Sequence, residues 1–183
     1  MTILRPPTKL TVSEWSDTHR MLSSESSAEP GRWRTDRAEY LRGIMDCVSD
    51  PLIETIVVKK GTQVGATEVM GNVCGFFIDQ DPSPILIIQP TIELAEAWSK
   101  DRLAPMLRDT IVLREKVHEA KQRDSDNTLR QKIFPGGRLS IVGANAPTGL
   151  AARPIRVVIA DEVDRYPVSA GSEGDPLKLG TKR

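Results

Sequence analysis

Two short stretches of this 183-residue chain carry residue types that could do chemistry on a nucleotide. The first is Val57-Val58-Lys59-Lys60-Gly61-Thr62-Gln63-Val64-Gly65-Ala66-Thr67-Glu68. A loop that cradles phosphates needs converging backbone N–H groups, a helix N-terminus aimed at them, a lysine for the β/γ oxygens and a hydroxyl for Mg²⁺. Gly65 and Thr67 stand where the pattern G-x-x-x-x-G-K-[ST] puts its second glycine and its hydroxyl. Lys60 occupies the first-glycine position, however, and Ala66 the lysine position. The second stretch is Val157-Val158-Ile159-Ala160-Asp161-Glu162, an apolar run ending in two carboxylates. Asp161 suits a magnesium ion, and Glu162 suits a water molecule that must be oriented and deprotonated. Alone, either stretch also reads as a plain strand end; together, and in this order, they point to a nucleotide.

Charge distribution narrows the choice of lysine. The chain has 25 Lys+Arg and 25 Asp+Glu, a net charge of +0, but the zero is a cancellation. Residues 61–99 contain no Lys or Arg beside five acids, and residues 100–138 contain ten basic residues and six acidic ones. Any cation serving the phosphates must therefore come from outside the helix that follows the loop. Lys60 sits furthest into the loop mouth and can reach back across it, whereas Lys59 also reads as a solvated strand end. The basic segment, with Arg102, Arg108, Arg114, Lys116, Lys121 and Arg123, is either a surface for DNA or another subunit or a solvated helix face. A uniformly basic chain, the simplest sign of nucleic-acid binding, is excluded.

The elements that must hold these residues follow from apolar periodicity and turn chemistry. Val12–Met21 predicts a short helix capped by Ser13, between a proline-bearing start and a Ser-rich linker ending in Pro30-Gly31. Thr35 predicts the cap of a helix running to Val48, with Pro51 as its stop. Ile53–Val58 is β-branched and predicts a strand feeding the first loop. Thr67–Ile78 predicts a helix, and Ile85–Gln89 a strand buried on both faces. Thr91 predicts the cap of a helix through Leu103 that Pro105 breaks, with weaker helices to Glu119 and a polar loop over Gln122–Arg130. Pro135-Gly136-Gly137 joins a predicted hairpin, and Arg156–Ala160 is the last strand. Strands alternating with helices imply an α/β fold with a mainly parallel sheet. Cys47 and Cys74 are isolated and read as buried hydrophobes. No apolar run reaches the roughly 20 residues of a membrane span, nor the core of a signal peptide, which predicts a cytoplasmic protein.

These motifs resemble the ATPase half of the large terminase subunits of tailed bacteriophages, the lambda-type DNA-packaging motors. The likeness runs from Trp15 to the end of the chain. It rests on Lys60–Glu68, Gln89-Pro90-Thr91 with Leu94-Ala95-Glu96, Gly143-Ala144-Asn145, Asp161-Glu162-Val163-Asp164-Arg165-Tyr166-Pro167 and Glu173-Gly174-Asp175-Pro176-Leu177. Members of that family often carry the lysine at the start of the loop, as Lys60 would.

The resemblance implies a P-loop NTPase fold of the additional-strand, RecA/helicase-like type, a three-layer sandwich. It would occupy residues 32–183, after an N-terminal arm and linker over 1–31. It implies ATP and Mg²⁺ as cofactors. Lys60, Gly61, Thr62, Gln63, Val64, Gly65, Ala66, Thr67 and Glu68 would hold the nucleotide, with Trp33 and Arg37 near its base unless Trp33 is simple core or linker packing. Thr67 and Asp161 would hold the metal, and Lys60 and Glu162 would serve catalysis. Gln89-Pro90-Thr91 would lie near DNA unless it is simply a strand end with a capping threonine, and 144–151 would be a conformational or DNA-facing loop. Where some family members place an arginine in the loop, this chain has Gln63. The implied partners are double-stranded DNA, a small terminase subunit, the portal protein of the procapsid and further copies of the chain, in the host cell cytoplasm and with no membrane. A complete subunit adds one more ATPase strand and a nuclease domain beyond Arg183, so an incomplete ATPase domain without nuclease activity is expected. A helicase-like ATPase on cellular nucleic acid, or a nucleotide-binding module without turnover, would fit the same residues.

Overall fold

In the computed structural model, residues 9–117, 128–146 and 154–181 are described. Chain order is helix α1 (Val12–His19), strands β1 (Met21–Leu22) and β2 (Gly31–Arg32), and helices α2 (Arg42–Ser49) and α3 (Ala66–Asp79). Strand β3 (Ile85–Gln89) leads into α4 (Ile92–Trp98), α5 (Ala104–Asp109) and α6 (Ile111–Arg114). Strands β4 (Gln131–Phe134), β5 (Gly137–Gly143) and β6 (Val157–Ala160) and helix α7 (Pro176–Thr181) complete the list.

The main sheet has four strands in the order β4-β5-β3-β6, parallel except for the antiparallel β4. β3 is buried along its whole length because strands flank it on both sides, as its unbroken Ile-Leu-Ile-Ile run requires. Ile85 and Ile87 face a core built with α1–α5, while Leu86 and Ile88 face a smaller cluster with Ala144, Ala170, Tyr166 and Leu179. The alternation follows from the period of two along a strand. The result is the mixed α/β fold with a mostly parallel sheet that was expected. The β4–β5 hairpin turns through Gly136 at φ +86, a conformation for which glycine is the ready choice.

Several local expectations need correction. Ile53–Val58 pairs with no strand among the described residues, and Val57 is 88% exposed. A β-branched run becomes a strand only against a partner edge, and β6 ends the sheet with its outer edge unpaired among the described residues. Thr11, not Ser13, caps α1, because Glu14 closes a reciprocal capping box with it. Thr35 caps nothing: its hydroxyl accepts the indole N–H of Trp33 at 2.9 Å and its own N–H donates to Asp17. The 35–48 segment is instead a 3₁₀ stretch over Thr35–Leu41, kinked at Ala38, followed by α2. Pro105 does not end the helix after Thr91. A π-helical turn over Ser99–Leu103 shifts the register, so Pro105 falls in the first turn of α5, where its missing N–H costs nothing.

The segment 1–31, read from sequence as arm and linker, contributes to the core from residue 12 onward. Trp15 is fully buried and its indole N–H donates to Asp79 Oδ2 at 2.8 Å, across α3. It lies over Gly75, where an added Cβ would come within 2.1 Å of the Trp15 ring. Gly75→Ala should therefore destabilise the chain by about 2–3 kcal/mol through overpacking. Gly43→Ala, on the exposed side of α2 with nothing within 4 Å, should be neutral or stabilising. Urea midpoints of the two variants measure the difference, and equal midpoints would contradict the interlock. Cys74 is buried on α3, which pushes its thiol up to about 12, so it acts as a small hydrophobe as expected.

Candidate functional site

The carboxyl ends of the parallel strands gather the residues of interest at one sheet edge. β3 ends at Gln89 and β6 at Ala160, so Asp161 follows directly; its N–H donates to the Ile88 carbonyl at 3.1 Å. Gln89 is buried, and its amide Nε2 lies 3.5 Å from Asp161 Oδ2. The end of β5 is pulled against α4: a Cβ on Gly143 would come within 2.6 Å of the Ile92 backbone nitrogen, so only glycine fits there. Gln89 thus works inside the strand-end cluster, and Thr91 next to it caps α4 through the Leu94 N–H.

The loop before α3 meets this cluster from the other side. Gln63 (φ +59) and Gly65 (φ +77) are both left-handed, with Val64 of ordinary sign between them. Alternation of that kind curls successive backbone amides into an anion-binding concavity. Gly65 is also the N-cap residue of α3, so the positive end of that helix opens onto the same loop. Lys60 closes the gap: its Nζ lies 3.9 Å from Asp161 Oδ1, joining residues a hundred positions apart in sequence. The structure brings Lys60, at the start of the loop, to Asp161, and places Thr67 in the first turn of α3.

Glu162 adopts a left-handed backbone, φ 49 and ψ 47, which costs a non-glycine residue roughly 1–2 kcal/mol. Its carboxylate pairs with Arg165 at 2.7 Å one turn further on. Tyr166 then donates its hydroxyl to the Ile88 carbonyl at 2.7 Å, pinning the segment to the strand ends. Burial, and then the nearby Asp161 charge, holds the Tyr166 phenol above its usual range, so it remains a donor.

Other predicted residues lie elsewhere. Trp33 is buried and bonded to Thr35, and exposed Arg37 pairs with Glu29, so the polar contacts of both are away from the loop. Glu68 turns to Arg20 and Arg102. The residue of the upstream segment that does touch the loop is Tyr40, which sequence reasoning missed. The residue is 65% exposed, and its hydroxyl donates to the Val64 carbonyl at 3.1 Å. In the basic segment, Arg102, Arg108 and Lys116 are ion-paired within the chain, to Glu68, to Glu25 and Asp109, and to Asp79. Arg114 is the remaining described member of that set; Lys121, Arg123 and most of the 144–151 loop lie outside the described residues.

Comparison with known proteins agrees with this picture. The chain is 33% identical over 178 residues to the terminase large subunit of Enterobacteria phage P21, covering 97% of this chain and 27% of that protein. It is 30% identical over 178 residues to the terminase large subunit of Escherichia phage lambda, covering 97% of this chain and 28% of that protein. The chain therefore spans little more than a quarter of these relatives' length. No solved structure matches. Residues 27–183 match the family model of the phage terminase large subunit gpA ATPase domain, and the chain belongs to that family.

Proposed function

We propose that this chain binds ATP with Mg²⁺ between the 60–67 loop and Asp161-Glu162 and hydrolyses it to drive DNA packaging. The observation that carries the reading is the approach of Lys60 to Asp161 beside a left-handed loop at a helix N-terminus. On this reading the loop is a P-loop whose lysine has moved to its start. Lys60 places its ammonium on the phosphate oxygens, and the amides of Gly61–Ala66 take up the rest of the charge. The donors available to a metal, the Thr67 hydroxyl and the Asp161 carboxylate, are hard oxygens and suit Mg²⁺. Bound there, the magnesium neutralises phosphate charge. Glu162 orients the attacking water and accepts its proton at a carboxylate oxygen, once free of Arg165. Tyr40 lies beside the loop with an exposed ring and is the better placed support for the base than Trp33 or Arg37.

In the intact subunit, hydrolysis would move double-stranded DNA through the portal into a procapsid, with a small terminase subunit and further copies of the chain as partners. The outer edge of β6, unpaired among the described residues, is where the additional strand implied by the family would pair. Work in the host cytoplasm is part of the same reading; among the described residues no helix is long and apolar enough to cross a membrane. The test is binding of a fluorescent ATP analogue by the 183-residue chain, with and without Mg²⁺, followed by phosphate release with and without duplex DNA. Magnesium-dependent, saturable binding is expected; none at millimolar nucleotide would refute the site.

A further inference from the structure

Glu68 is an odd residue to find at the start of a helix that receives a triphosphate. It follows Thr67 directly, in the first turn of α3, and its charge would repel the nucleotide. Helix α3 cannot offset it, because residues 61–99 contain no Lys or Arg. Two guanidinium groups from distant parts of the chain do so instead. Arg20, only 4% exposed, places Nη2 2.8 Å from Glu68 Oε2, and Arg102 places Nη1 3.4 Å from Oε1. Arg20 also donates to the Met21 carbonyl, and Arg102 to that of Ser26.

Arg20 holds a poor position for its own sake. Its Nε is buried with no hydrogen-bond partner among the described residues, and burial lowers its basicity despite Glu68. A buried pair of this kind is weak as a source of stability. Its guanidinium rests over Gly71, where an added Cβ would stand 3.4 Å from Nη2. Arg102 comes from the π-helical turn, a feature that recurs at functional sites.

We propose that Arg20 and Arg102 are positioning residues that cancel the Glu68 charge, so that the N-terminus of α3 can accept a polyanionic nucleotide. The inference rests on the ATP-site reading above and adds to it two residues remote in sequence from either motif. Arg102, one of the charges that sequence alone would offer to DNA, then works inward.

The experiment is a double-mutant cycle on the 183-residue chain with Arg102→Gln and Glu68→Gln, Arg102 being the accessible member of the pair. The affinities of ATP, ADP and AMP are measured with Mg²⁺, and thermal midpoints confirm folding. Arg102→Gln should weaken ATP about five-fold, ADP less and AMP hardly at all, since the repulsion scales with nucleotide charge. Adding Glu68→Gln should restore ATP affinity to within about two-fold of that of Glu68→Gln alone. Equal weakening of all three nucleotides, or no weakening, would overturn the inference while leaving the site intact. Failure of the double variant to recover would also overturn it, since Arg102 would then touch the nucleotide directly. If the unaltered chain binds no ATP, the reading beneath the inference falls as well.

Discussion

Lys60→Ala is expected to remove nucleotide binding from this chain, with a loss of at least about 100-fold in ATP affinity, or about 2.7 kcal/mol. Lys59→Ala, one residue away, changes it by no more than about three-fold, or 0.7 kcal/mol. The contrast follows from geometry. Lys60 is the basic residue that reaches the strand-end carboxylate, with Nζ 3.9 Å from Asp161 Oδ1. No Lys or Arg follows it until residue 100. On the proposed reading, its loss would take away the phosphate counter-charge and at the same time leave Asp161, with a side chain only 14% exposed, facing the phosphates unbalanced. Equilibrium binding of an ATP analogue to both variants measures the difference. Equal losses would assign the role to the lysine pair rather than to Lys60.

Glu162→Gln separates binding from turnover. The amide keeps the shape of the side chain but cannot accept a proton, so magnesium-dependent ATP binding should survive while hydrolysis falls by about 10²–10³-fold. Two features single out this carboxylate. Its backbone is held in the left-handed region, a strain that folded proteins retain mainly where function requires it. It is also paired with Arg165 at 2.7 Å, an exposed contact of the kind that contributes little stability and is easily exchanged. A turnover rate unchanged in the glutamine variant would remove Glu162 as the base. Binding lost along with turnover would show instead that its charge serves the metal.

Much of the architecture is legible from local chemistry alone. The Ile85–Gln89 run announces a doubly covered strand, Pro135-Gly136-Gly137 a hairpin, and Thr91 a cap, because each depends on residues close in sequence. The misreadings have the opposite character. Ile53–Val58 has the composition of a strand but needs a partner edge supplied from elsewhere. Thr35 has the side chain of a cap, yet Trp33 and Asp17 claim it. Pro105 reads as a stop until the π-turn ahead of it moves it into a first turn. In the site, the left-handed Gly65 at the N-terminus of α3 and the acidic pair after β6 are marked by residues adjacent in sequence, even though the strand expected before the loop is absent among the described residues. That Glu68 faces Arg20 and Arg102, and that Tyr40 bonds to Val64, depends on tertiary contacts across 24 to 48 residues that no spacing rule encodes.

The 55–58 run before the loop, which pairs with no strand among the described residues, also bears on how molecules of this chain treat one another. Thr55-Ile56-Val57-Val58 is β-branched throughout, mostly apolar, free of proline and exposed, and among the described residues the outer edge of β6 is unpaired. Segments of this type add to one another across molecules and begin precipitation unless something intervenes. Glu54 on one side and Lys59-Lys60 on the other flank it with charge, as gatekeepers flank other unavoidable sticky strands. On the proposed reading, Lys59 would then have a colloidal purpose, keeping neighbouring copies apart while Lys60 serves the phosphates.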